Sequence, residues 1–250
     1  MFLVAARGVM GRATGQGRYR RQGLGPKSKR PQPRKLWYTH LMSRESYKVI
    51  TKDGTGEIVE KKSRFIGAVY NVESTEEAEA RIAEISKKYW DARHNCYAYV
   101  IGENSEISKC SDNGEPSGTA GKPILEVING AGITNALIIV TRYFGGVLLG
   151  TGGLVRAYTQ AAQAALADAE IGEKVFSRKL TLTVGYNMIN NVQYYLGQNG
   201  IAIADSRYEA DVSFDICVKE SDLETIKNGL TQKCEGQITI TEGDKGYYIL

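Results

Sequence analysis

The stretch 134–156 constrains this chain more than any other: TNALIIVT, then RYF, then GGVLLGTGG, then LVR. Residues 134–141 are a continuous apolar run containing Ile138, Ile139 and Val140, with the length and bounds of a strand buried on both faces. An alanine-rich helix, 154–169, follows it, and Thr151 stands where a cap would. Between strand and helix lie Arg142, Tyr143, Phe144 and five glycines, Gly145, Gly146, Gly150, Gly152 and Gly153. A buried strand, a glycine loop and a helix start in succession let backbone N–H groups face an anion. The same glycines have a plainer use, which is positive φ and close helix–strand packing. The loop holds no Lys and no G-x-G-x-x-G, so it is neither a Walker phosphate loop nor a dinucleotide fingerprint. Arg142, just past the buried strand, either pairs with an internal carboxylate or meets an anion from outside, and the second is the expectation. Tyr143 and Phe144 read as core or rim packing.

A second long loop, SDNGEPSGTAGKP at 111–123, carries Asp112 and Glu115 as its only acids. Their spacing suits acid/base work, a divalent cation, turn capping or a pair with Arg142. Loops of this length in compact domains are often functional. Pro123 fits the first position of a helix that Gly130 ends. In KKSRFIG, 61–67, Lys62 and Arg64 alternate onto one strand face, either solvated or lining a groove for an acidic partner. Arg93 and His94 precede the strand 96–102.

The remaining pattern is α+β. Strands are expected at 47–52, 56–61 and 64–72, with Asp53-Gly54 as a hairpin turn between the first two. Helix 74–89 opens with a capping box, Ser74 and Glu77. A domain boundary falls near 172–177, separating domains 42–172 and 178–250 that each close their own core. Beyond it strand 178–186, helix 188–199, strands 201–208 and 210–219, helix 221–233 and strand 236–241 follow the ferredoxin-like βαββαβ order.

Charge is unevenly divided. Residues 1–41 hold ten Lys or Arg and no acid, leaving 22 basic against 28 acidic side chains, a net of −6, in the rest. Such a tail, with scattered Gly and Pro, reads as disordered. It fits a nucleic-acid-binding arm, a transit peptide or sequence upstream of a true start at Met42, the favoured reading; it lacks the apolar core of a secretory signal. Cys96, Cys110, Cys217 and Cys234 form no C-x-x-C, and His40 and His94 are the only histidines, so no zinc site or other cofactor is expected. Scattered cysteines suit a reducing cytoplasm. No apolar run approaches the roughly 20 residues of a membrane span.

Four motifs carry a resemblance: KKSRFIG (61–67), RHNCYAYVIG (93–102), SDNGEPSGTAGKP (111–123) and IIVTRYFGGVLLGTGGLVRAY (138–158). Over 47–250 the chain resembles the Impact family in its two-domain bacterial form, whose pattern often has a second aspartate where Asn113 stands. The resemblance implies an N-terminal domain like the second domain of a small-subunit ribosomal protein, a sheet with helices on one face. It implies a C-terminal domain like the last domain of elongation factor G. Eukaryotic relatives regulate translation by binding the activator of an amino-acid-starvation kinase, with the help of a different N-terminal domain. The expected function is therefore a translation-linked regulator binding RNA, the ribosome or a ribosome-associated protein, without catalytic residues. The alternative is a phosphate-binding enzyme of phosphoryl transfer or hydrolysis using 145–153. The oligomeric state stays open.

Overall fold

The computed structural model of the chain describes residues 44–250; the basic tail and the proposed start at Met42 lie outside them. In order the elements are β1 (Ser46–Lys52), β2 (Gly54–Glu60), β3 (Ser63–Asn71), α1 (Thr75–Lys88), β4 (His94–Ile101), β5 (Ile107–Ser111), α2 (Gly121–Ala131), β6 (Ala136–Tyr143) and α3 (Thr151–Asp168). They continue as β7 (Glu170–Val184), α4 (Ile189–Gln198), β8 (Ile203–Tyr208), β9 (Val212–Lys219), α5 (Leu223–Lys233) and β10 (Ile238–Ile249). No helix among the described residues is long and apolar enough to cross a membrane.

The first sheet runs β2-β3-β6-β4-β5, all antiparallel, with β6 at its centre. Successive strand residues face opposite sides, so an all-apolar strand needs cover on both. Ile138 and Val140 pack with Phe65, Ile124 and Tyr158 beneath α2 and α3. Leu137 and Ile139 pack on the other face with Val72, Tyr99 and the α1 stripe of Ala78 and Ile85. Helices therefore cover both faces, and the expected one-sided arrangement is corrected.

Helix α3 rests almost on sheet backbone. A Cβ at Gly56 would lie 2.4 Å from the Ala164 carbonyl carbon, one at Gly67 2.4 Å from Ala161 O, and one at Gly54 2.5 Å from Ala165 O. The small residues of the helix meet the glycines of β2 and β3, which explains both compositions at once.

The hairpin expected at Asp53-Gly54 does not form. β1 pairs with the start of β7, while β2 enters the other sheet. The buried side chains of Val49 and Ile50 and the close fit of Gly54 under α3 pull the chain apart there. β7 begins at Glu170, well before the expected 178, and runs through the expected boundary at 172–177. Its first half pairs with β1, its second half with β9 on the same edge, and β10 lies along the opposite edge. With β8 outside β9, the second half closes in the order β10-β7-β9-β8, the expected βαββαβ run. Its core of Leu180, Leu182, Phe214 and Ile216 is covered by Val192 and Leu196 of α4 and Leu230 of α5.

Helix ends follow local chemistry, with departures from expectation in α2 and α3. Ser74 Oγ accepts from Glu77 N at 3.1 Å, while the Glu77 carboxylate reaches past the cap to accept from Glu73 N at 2.8 Å. α2 starts at Gly121, so Pro123 is its third residue, where a missing N–H still falls among the unpaired first-turn groups. It ends at Gly132, whose φ of 66° is left-handed, and not at Gly130. Thr151 does not cap α3; Gly150 precedes the helix with φ 71° and no side chain bonds its first turn.

Candidate functional site

The ends of β3, β4 and β6 converge with the two long loops. In register, Arg142 stands opposite Phe65 on one side and His94 on the other, and Arg64 stands opposite Tyr143. Strand alternation sends Arg142 toward α2 and α3 and Tyr143 toward the α1 face, where its hydroxyl donates to Asp91 at 2.8 Å.

Arg142 is 6% exposed and donates through Nη1 to Glu115 Oε1 at 2.6 Å. Nη2 reaches Ser63 Oγ at 3.4 Å, and Nε has no partner. The guanidinium lies between two rings, 5.3 Å from Phe65 and 5.6 Å from Phe144. Glu115, 8% exposed, also accepts from the Tyr158 hydroxyl at 2.8 Å. The expected external anion is thus replaced by an internal carboxylate. The Cys96 thiol sits 2.9 Å from Asp112 O and 3.4 Å from the Tyr158 oxygen. Burial pushes that thiol up to about 12, so it is no thiolate at neutral pH. Burial, then Cys96 and Glu115, raise Tyr158 further, so it stays a protonated donor to Glu115.

Asp112 holds the start of α2. Oδ1 accepts from Ala120 N and Gly121 N at 2.9 Å each, and Oδ2 from Gly118 N at 2.8 Å. Burial alone would raise its pKa, but the three amides together outweigh burial and lower it. A depressed folded pKa contributes stability that is whole above the unfolded value of about 3.9 and disappears as pH falls through the folded value. Asp112→Ala is expected to destabilise by about 0.5–2 kcal/mol at pH 7. The deficit should shrink as pH drops below about 4, read from urea melts across pH 3–7; a deficit independent of pH would contradict this role. Both acids are thus engaged within the protein, Asp112 by three backbone amides and Glu115 by Arg142 and Tyr158.

His94 Nδ1 lies 2.9 Å from the Asn113 carbonyl, which only accepts, so Nδ1 carries the hydrogen. Asn113, at φ 42°, also accepts from Asn95 N at 2.9 Å. This ties β4 to the acidic loop.

The outer surface is different. Lys62 does not alternate with Arg64 on a strand. Lys61 (φ 44°) and Lys62 (φ 66°) form the two-residue turn between β2 and β3, both left-handed and both exposed. Arg64 is exposed and holds Glu57 through two bonds of 2.7 Å. Gly145 donates to Ser63 Oγ at 3.2 Å, and a Cβ on it would lie 2.0 Å from the Lys62 carbonyl carbon, so the glycine loop is seated on the lysine turn. Gly146 (φ 84°) and Gly150 (φ 71°) supply left-handed bends, whereas Gly152 and Gly153 belong to the first turn of α3. Phe144 is 50% and Leu148 83% exposed in this loop. Among the described residues Lys61, Lys62, Arg93 and Arg156 are exposed and make no hydrogen bond or ion pair.

Sequence reasoning missed Lys61, Ser63 and Tyr158. For Tyr158 there was a signal: one large polar-tipped ring inside an alanine stripe needs a buried partner.

A model of the Impact N-terminal domain matches 61–166, and a domain of unknown function, DUF1949, matches 182–237. The IMPACT family member YvyE of Bacillus subtilis is 37% identical over 202 residues, covering 81% of this chain and 93% of that one. YigZ of Escherichia coli is 40% identical over 154 residues, 61% of this chain and 76% of that one. The mouse protein IMPACT is 32% identical over 98 residues, 37% of this chain and 30% of the mouse protein. A crystal structure of a hypothetical protein aligns with TM-score 0.53 at 32% identity, over 80% of this chain and 98% of that one. Motifs, family models and relatives covered over most of their length agree, and the chain belongs to the IMPACT family.

Proposed function

We propose that this protein is a translation-linked regulator in the cytoplasm that binds RNA, free or in the ribosome, on the surface made by the Lys61–Lys62 turn and the glycine loop. The observation that carries this is the pair of unpartnered lysines held in left-handed backbone against Gly145. Non-glycine residues in that region cost energy and persist where surroundings enforce them, often at functional sites. Single-stranded nucleic acid is bound by cations that track phosphates and by exposed rings on which bases stack. Lys61, Lys62, Arg93 and Arg156 supply the cations, and half-exposed Phe144 the ring. The described body is acidic overall, so binding rests on this local patch. The proposal includes the likeness of the N-terminal part to a domain of a small-subunit ribosomal protein and of 178–250 to the last domain of elongation factor G.

Filter binding of single-stranded RNA and co-sedimentation with ribosomes, at rising salt, test it. Lys61→Glu with Lys62→Glu is expected to weaken binding at least tenfold and flatten the salt slope by about 1.4, two single-strand phosphate contacts. No retention at low salt would overturn the proposal.

A second reading has one observation in its favour, the uncapped, glycine-rich first turn of α3 as a phosphate cradle. It predicts stabilisation by a nucleotide with magnesium, about 2.7 kcal/mol at 100 times its dissociation constant. Absence of any nucleotide shift removes that reading.

A further inference from the structure

At the end of the first sheet remote from Arg142, a cavity of about 570 Å³ opens between that sheet and the strands β1, β7 and β10. One wall is made by connections of the first sheet and presents Glu73 and Glu103; the other presents Tyr47, Lys174, Phe176 and Lys245. Strand pairing puts Tyr47 opposite Lys174 and Tyr247 opposite Phe176, so these side chains share one face. The rings form a continuous floor, with Tyr47 and Tyr247 centroids 4.8 Å apart and Phe176 and Tyr247 5.3 Å apart.

The charges of the cavity do not balance. Lys174 is held by Glu73 at 2.8 Å, and Lys245 is held by Glu220. Among the described residues Glu103 has no hydrogen bond or ion pair, and one Glu73 oxygen is left without one. Tyr47 is only 6% exposed, yet its hydroxyl makes no hydrogen bond among the described residues. Among the described residues the one buried side-chain polar atom without a partner is Arg142 Nε, so the Tyr47 hydroxyl is not sealed off: it opens to the cavity with its bonding capacity unused. Burial first, then the fields of Glu103 and Glu73, push the phenol up to about 12. Both lysines are neutralised, so an anion entering here would meet Glu103 unshielded. A divalent metal wants six or more oxygens in a tight shell, which an aromatic floor does not give. A cation of organic type fits every feature: the carboxylates take its charge, the phenol oxygen accepts one N–H, and the rings attract it by cation–π contact while covering its hydrocarbon body.

We propose that this cavity is a binding site for a primary ammonium group carried on a short hydrocarbon chain, held by Glu103, Glu73 and Tyr47. The site is separate from the lysine turn and does not rest on RNA binding.

The test is a titration of the full chain with n-butylammonium, followed by amide NMR at Gly102 and Gly246, with butanol and butyrate as controls. Saturable shifts are expected at these two cavity glycines with the amine alone. Glu103→Gln should raise the dissociation constant at least tenfold, and Tyr47→Phe about threefold, with both variants folded by their unperturbed spectra elsewhere. Absence of saturable shifts, an equal response to butanol, or an unchanged constant in Glu103→Gln would overturn the proposal.

Discussion

Arg142→Ala is expected to lower the free energy of unfolding by about 3–5 kcal/mol, the cost of leaving one member of a buried ion pair alone. Glu115 would keep only the Tyr158 hydroxyl in a site where it is 8% exposed. Domains of this kind are stable by about 5–15 kcal/mol, so the loss is a large share of the whole. Arg142→Lys should recover little, because an ammonium cannot reach Glu115 and Ser63 together with a flat fork between two rings. The double variant Arg142→Met, Glu115→Gln should be less destabilised than Arg142→Ala, since it buries no unpaired charge and leaves Tyr158 an acceptor. Urea melts at pH 7 decide the matter. A loss below about 1 kcal/mol for Arg142→Ala, the range of an exposed pair, would show that this contact does not hold the site together.

The second large effect is expected at Gly67, far from any charge. An alanine there puts its Cβ 2.4 Å from Ala161 O and 3.0 Å from Ala165 Cβ. Backbone cannot yield as a flexible side chain does, so α3 must lift from the sheet. Overpacking costs about 1–3 kcal/mol and at times more, and this site belongs at the upper end, about 3 kcal/mol. Gly130→Ala is the matched control: it lies in α2 with nothing within 4 Å of the added carbon. That change should raise stability by about 0.4–1 kcal/mol. If both alanines behave alike in thermal and urea melts, close helix–sheet contact is not what the glycines of β2 and β3 are for.

How far the sequence reveals this structure varies with the range of the interaction. The apolar run in β6 and the Ser74 cap of α1 are local patterns and both form, the strand two residues later than expected, at Ala136–Tyr143, and the cap with Glu77 bonding Glu73 N in place of Ser74 N. The alternating strands of the second half are equally plain. The pairing of β1 with β7 is not, because Asp53-Gly54 is a strong local turn signal and the true partner lies more than a hundred residues away. In the site, charge alone narrows the partner of Arg142 to Asp112 or Glu115. Which one it is depends on Tyr158, which fixes Glu115, and on the α2 amides, which occupy Asp112. The lysine turn was hidden for another reason: left-handed two-residue turns favour Asn-Gly or Gly-Gly, and nothing in Lys-Lys announces one.

The continuity of β7 has a practical consequence for anyone grafting the second half onto another protein. A joint placed in the middle of that strand would strip β1 from its partner and leave two half-strands with unpaired N–H and C=O groups. Bare strand edges recruit other chains, so such pieces would tend to clump even with their apolar interiors intact. A transplant that keeps β1 with β7 avoids exposing that edge.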